Sequence, residues 1–178
     1  MFYRGIGWFA KWAGVSDKEL LANVLALFET QDFDRPSADE RGADVSLMAL
    51  DRDRVWWSDL EADLCDGNRV YVELVNDLAR ISRGTITVTD VTERWAGEEG
   101  PITVEFTANG LRQTVQPEYK DDWITAEVFL AFKSLLNPTP YRLYTWDTQG
   151  QDYFCVVLRD EESRLIRKKR GVHLKPGP

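Results

Sequence analysis

Asn109-Gly110 is the dipeptide that most constrains this chain. It stands between ITVEFTA and LRQTVQP, two runs rich in β-branched residues, the first of them alternating. Asn-Gly accepts positive φ at both central positions of a type I′ turn, whose twist matches that of two antiparallel strands. The sequence therefore predicts a hairpin that pairs residues near Val104 with residues near Val115. A second hairpin is expected around Gln149-Gly150, between YRLYTWDT and DYFCVVLRD. Upstream of both lies TITVTDVTERW, a further alternating, Thr- and Val-rich run.

Helical spacing marks the remaining elements. In GVSDKELLANVLALFET, Ser16 and Glu19 form a capping box, Val15 and Leu20 sit at staple positions, and Leu20, Leu21, Val24, Leu25 and Phe28 make an apolar stripe. GNRVYVELVNDLARISRG carries a stripe of Tyr71, Leu74, Val75, Leu78 and Ile81, with Asp66 as its expected cap and Gly84 past its end. DDWITAEVFLAFKSLLNP reads as a third helix, capped by Asp121 or Asp122 and stopped at Asn137-Pro138. VSLMAL is a short strand candidate, residues 30–44 an exposed loop, and EESRLIRKKRG either a final helix or an edge strand. Strands in consecutive hairpins favour an α+β fold: one domain over 1–178, a mainly antiparallel sheet, about three helices packed on one face.

Size and composition agree with one soluble domain. The 178 residues are 43% hydrophobic and 29% charged, enough apolar material for one core and no excess of charge. No apolar run reaches the roughly 18 residues of a membrane span. The aromatic segment 1–15 has charges within it and lacks a signal-like cleavage site, so a cytoplasmic protein with no membrane partner is expected. Cys65 and Cys155 are then expected as reduced thiols. The net charge of −8 is unevenly spread: residues 164–178, a basic tail, carry six bases and no acid, which leaves 16 bases against 30 acids in residues 1–163, a balance of −14. Such a body repels nucleic acid and attracts basic proteins.

The stretch VWWSDLEADLCD, residues 55–66, places two tryptophans beside Asp59, Glu61, Asp63 and Asp66. It is not a calcium loop: counted from Asp59, the sixth and twelfth positions hold Leu64 and Val70 where Gly and Glu are needed. On a strand, Asp59, Glu61 and Asp63 would share one face and could hold a hard cation; the plain alternative is a half-buried strand with a solvated acidic side. Asp90, Glu118 and Lys120 offer a second acidic set, at the Glu-x-Lys spacing of magnesium nucleases, but Pro117 interrupts the strand that would carry it. Other chemistries lack their residues. His173 is the only histidine, and there is no nucleophile elbow, phosphate loop or dinucleotide fingerprint. Neither cysteine has the basic surroundings that activate a thiol. The chain is expected to need no cofactor and to be a binder rather than an enzyme.

Among the seven tryptophans, Trp95, Trp123 and Trp146 read as core, as do Trp8, Phe9 and Trp12 in the N-terminal segment. Trp56 and Trp57 are adjacent and must point to opposite faces of a strand, so one of them is expected at the surface. A tryptophan ringed by carboxylates has the composition of a protein–protein hot spot. The candidate partner-binding residues are Trp56, Trp57, Asp59, Glu61, Asp63 and Asp66.

In its layout, carried by DGNRVYVELVNDLARISRG, VTERW, DDWITAEVFLAFKSLLNP and DYFCVVLRD, the chain resembles the small acidic α+β immunity proteins of bacterial polymorphic and contact-dependent toxin systems. The resemblance spans about residues 55–160. It implies a non-enzymatic inhibitor that covers a cognate toxin with a basic surface; the basic tail departs from that pattern. The alternatives are a metal-dependent nuclease or hydrolase using one of the two acidic sets, and a structural or adaptor component of phage or secretion machinery held by the aromatic N-terminus.

Overall fold

Two antiparallel sheets and six α-helices are described in a computed structural model that covers residues 2–30 and 40–178. The elements run α1 Phe2–Gly5, a 3-10 turn Ala10–Trp12, α2 Asp17–Thr30, α3 Glu40–Ala49, β1 Val55–Asp59, α4 Val70–Ile81, β2 Val88–Trp95, β3 Ile102–Ala108, β4 Leu111–Val115, α5 Glu127–Leu136, β5 Tyr141–Trp146, β6 Asp152–Arg159, α6 Asp160–Arg170 and β7 Lys175–Pro176. The fold is α+β, and every strand pair is antiparallel.

Both predicted hairpins form. Val104 faces Val115 across β3 and β4, Ala108 faces Leu111, and Asn109 and Gly110 take φ of 49° and 81°. Asn109 does more than turn: its side chain accepts from Thr87 N at 2.8 Å and donates to Thr85 O at 3.0 Å, tying the turn to the approach to β2. The second hairpin sets β5 against β6, with Gln149 at φ 60° in its loop.

The sheet of order β1-β6-β5-β7 is the middle layer. Along β6, Cys155 and Val157 join one core while Phe154, Val156 and Leu158 join another. A strand buried on both faces explains why YFCVVL is an unbroken apolar run. The first core contains α4, α5 and the sheet β2-β3-β4; Tyr71, Leu74, Val75, Leu78 and Ile81 meet Phe129, Phe132 and Phe106 there. The second contains the N-terminal aromatics, α2, α3 and α6, with Trp8, Phe9, Leu20, Met48 and Ile166 buried. Helices therefore cover both faces of the central sheet, not the one expected, because its strands are apolar on both sides.

Other expectations are corrected. VSLMAL is not a strand: it lies in α3 and its end, with Val45, Met48 and Ala49 buried at helical spacing. A six-residue apolar run does not fix its own period. Of the loop expected over 30–44, Thr30 ends α2 and 40–44 begin α3, where Asp44 is buried and bonded to Tyr3 and Arg170; 31–39 lie outside the described residues. The capping box of α2 forms, with Ser16 N donating to Glu19 at 2.9 Å and Glu19 N to Ser16 at 3.3 Å. Its stripe is only half buried: Leu20 and Val24 face inward, whereas Leu21 is 51% and Leu25 54% exposed.

Asp66 does not cap α4. Gly67, at φ 100°, and Arg69, at φ 57°, turn the chain before the helix begins. Glu93 of β2 takes the cap's place, its Oε2 accepting from Tyr71 N at 2.9 Å and Val72 N at 3.3 Å while Oε1 accepts from the Trp95 indole at 2.8 Å. Asp121 and Asp122 do not cap α5, which starts at Glu127. The basic tail is not a loose end. Residues 164–170 finish α6, Val172 and Leu174 are buried, and β7 pairs with β5.

Arg54 is an unannounced core residue. Only 6% exposed, it lies 4.3 Å over the Trp8 ring and donates to Gly7 O at 2.8 Å. Burial pulls its pKa down to about 10, and Arg83 nearby adds to the effect.

Candidate partner-binding surface

β1 ends at Asp59, but the chain beyond it stays extended long enough to meet residues 122–124. Ile124 N donates to Leu60 O at 2.8 Å, Ala62 N donates to Asp122 O, and Glu61 bridges to Trp123. The residues expected to cap α5 are therefore recruited into a short strand-like pairing. Trp-Ile-Thr at 123–125 suits such pairing better than a helix start.

This pairing sets out the acids. The carboxylates of Asp59 and Glu61 converge on one amide, each accepting from Gln151 Nε2 at 2.8 Å. Asp63 departs from them. Its backbone oxygen accepts from Asn68 at 2.8 Å, and its carboxylate lies beside the Cys65 thiol. Two of the three carboxylates expected on one face are thus together, and the third lies past the strand, ahead of the turn at 66–68. Among the described residues no group of three or more His, Cys, Asp or Glu has an arrangement that could hold a metal ion. Of the second acidic set, Asp90 stands at a bulge in β2 with φ 54°, and Glu118 pairs with Lys120 at 3.0 Å.

Glu61, Asp63, Asp66, Asp121 and Asp122 are exposed and Asp59 half-buried. Desolvation raises the Tyr119 hydroxyl, and Asp121, Glu99 and Asp122 push it further, so these three carboxylates share its surroundings. Cys65, Asp66 and Glu98 line an open cleft of about 440 Å³ with Trp95 at its wall. Partial desolvation, Asp63 and Asp66 together raise the Cys65 thiol, as a thiol among carboxylates must. Cys155 is buried opposite Trp56, and both cysteines are free. The acidic surface thus joins three separate stretches: 59–66, 98–99 and 118–122.

The tryptophans are distributed otherwise than expected. Trp56 and Trp57 do point to opposite faces, but Trp56 is 6% exposed and packs edge-on against Phe129, a core residue withdrawn from any partner. Trp57 is half-buried against Phe154 on the other side of the sheet. Trp95 is half-buried against Tyr119. The exposed one is Trp123, at 42%, read from sequence as core. It follows Asp121-Asp122 and lies across from Glu61. The signal was present in the sequence: DDW has the same tryptophan-beside-acid composition as WWSDLE, and its placement in a helix hid it.

Chemically, the surface offers hydrogen-bond acceptors, a negative field and one exposed indole. No protein family, curated protein or solved structure matches this chain.

Proposed function

We propose that this protein is a non-enzymatic, immunity-type binder. Its acidic, tryptophan-bearing surface covers a basic surface on a cognate toxin. Trp123 carries the reading: a large indole 42% exposed, set between Glu61 and Asp121-Asp122. Leaving such a side chain in water forgoes burial of its apolar area, and aromatic residues are enriched where partners bind. The carboxylates around it supply the long-range attraction that brings a basic partner into register. Of the residues first considered, Asp59, Glu61, Asp63 and Asp66 remain in the surface; Trp123, Asp121 and Asp122 are added, and both Trp56, in the core, and Trp57, on the opposite face of the sheet, are left out.

The test is coexpression with the product of the neighbouring upstream gene in a bacterial host. Growth arrest by that product, relieved by this protein and not by its Trp123→Ala, Glu61→Lys variant, supports the proposal. Relief by the variant equal to that by the wild type assigns the interaction to another surface.

A further inference from the structure

On the other side of the central sheet, α2 carries an apolar surface of a different charge. A pocket of about 190 Å³ opens between α2 and the N-terminal segment, with Phe2, Phe9, Leu20, Val24 and Leu47 in its lining. That is room for one large side chain, since an apolar cavity of about 150 Å³ takes a benzene ring. The apolar surface also runs past the pocket: Leu21 shares its lining, and Leu25, one turn on, is 54% exposed. An occupant that used all of it would extend along the helix, as a peptide segment does and a small molecule does not.

The rim decides the occupant's charge. Arg170 lines the pocket, gives its Nε to Asp44 at 2.9 Å, and keeps 45% of its side chain exposed. Arg167 lies one turn back on the same face of α6, with Lys168 and Lys169 between. All three are exposed and make no ion pair with a described residue. Arg4 also lines the pocket and is paired with Asp17. The excess positive charge therefore comes from the last turn of α6, which reaches the pocket through Arg170, in a chain whose net charge is −8.

We infer that the α2 pocket docks an acidic, amphipathic segment of a second protein, one apolar side chain filling the cavity while its carboxylates face the end of α6. This surface is separate from the acidic one and does not depend on it. The concavity fits a single inserted side chain, which a bilayer surface does not supply; Leu21 and Leu25 protrude beside it, so the anionic bilayer is the competing outcome.

The probe is a short acetylated and amidated peptide of Glu, Leu and Phe in helical amphipathic order. Its binding to the full-length protein is followed by fluorescence anisotropy and by methyl shifts of Leu20, Leu21 and Val24. The same peptide with Lys for Glu, and one with Ser for Leu and Phe, are the controls. The acidic apolar peptide should bind at least about tenfold more tightly than either. Arg167→Glu with Lys168→Glu should weaken it, most at low salt. Leu21→Glu, at an exposed position that leaves the core intact, should abolish the methyl shifts of Leu20 and Val24. Equal binding of the Lys peptide, or unchanged binding to the Leu21→Glu protein, overturns the inference. Binding to phosphatidylglycerol vesicles without binding to the peptide overturns it in favour of a membrane.

Discussion

Replacing Glu93 with alanine should destabilise the protein more than any other single change at the surface of its second sheet. Glu93 belongs to β2, yet its carboxylate closes the N-terminus of α4, accepting from Tyr71 N and Val72 N, and also takes the Trp95 indole hydrogen. The helix has no cap of its own, because Arg69 enters it in the left-handed region. Alanine removes a charged acceptor from three donors, all part-buried. A lost cap costs roughly 0.5–2 kcal/mol, and a hydrogen bond to a charged group about 1.5–3 kcal/mol. Because the losses share one carboxylate, they do not add in full. About 2–3 kcal/mol is expected, a fall in Tm of roughly 4–12 °C at about 2–4 °C per kcal/mol for a chain of this size. Glu93→Gln keeps an acceptor without the charge and should cost about 1 kcal/mol. Urea unfolding followed by tryptophan fluorescence and far-UV circular dichroism measures both. A Glu93→Ala unfolding free energy within about 0.5 kcal/mol of wild type would refute the reasoning and leave α4 held by its buried stripe alone.

Three further expectations concern separate regions. Gly110→Val forces a β-branched residue to φ 81° in open space and should cost about 1–2 kcal/mol from backbone strain, read by the same unfolding assay; Asn109→Gly should cost less on the backbone but lose the Thr87 and Thr85 bonds. In the native state one thiol, that of Cys65, should react with an alkylating reagent, while Cys155 reacts only after unfolding. Because the Cys65 pKa is raised, its thiolate appears at higher pH than in a free cysteine, and Asp63→Asn should shift the rate–pH curve back down. Calorimetry with magnesium, manganese and calcium should give no stoichiometric heat, since Asp59 and Glu61 share the Gln151 amide and Asp63 is turned away; a micromolar site lost in Asp63→Ala would revive the metal-dependent reading.

The hairpins, the capping box of α2 and the stripe of α4 were legible because each is set by residues close in sequence. Asn109-Gly110 supplies its own turn geometry, and Ser16 with Glu19 supplies its own hydrogen bonds. What escaped depends on distant partners. Glu93 can be known as the cap of α4 only once β2 lies against it, 22 residues on from Tyr71. Trp123 looked like the first turn of a helix until residues 60–62 claimed it for strand pairing. VSLMAL has too few residues to declare its period, and tertiary burial of Val45, Met48 and Ala49 decides for helix. The acidic composition of 59–66 was plain, but its union with 98–99 and 118–122 into one surface is a product of the fold.

The most direct test of the acidic surface uses the neighbouring gene's product, immobilised, with association and dissociation rates measured at two ionic strengths. Reversing Asp59, Glu61 and Asp63 to Lys should slow association about tenfold or more at low salt, and the deficit should shrink at high salt as screening shortens to a few ångström. Trp123→Ala should leave association nearly unchanged and speed dissociation by roughly 30-fold, corresponding to about 2 kcal/mol at a hot spot. Trp57→Ala should change neither rate by more than a small factor. An unchanged association rate for the charge-reversed protein at low salt, with an unchanged dissociation rate for Trp123→Ala, would contradict the account and leave this face as solvated surface.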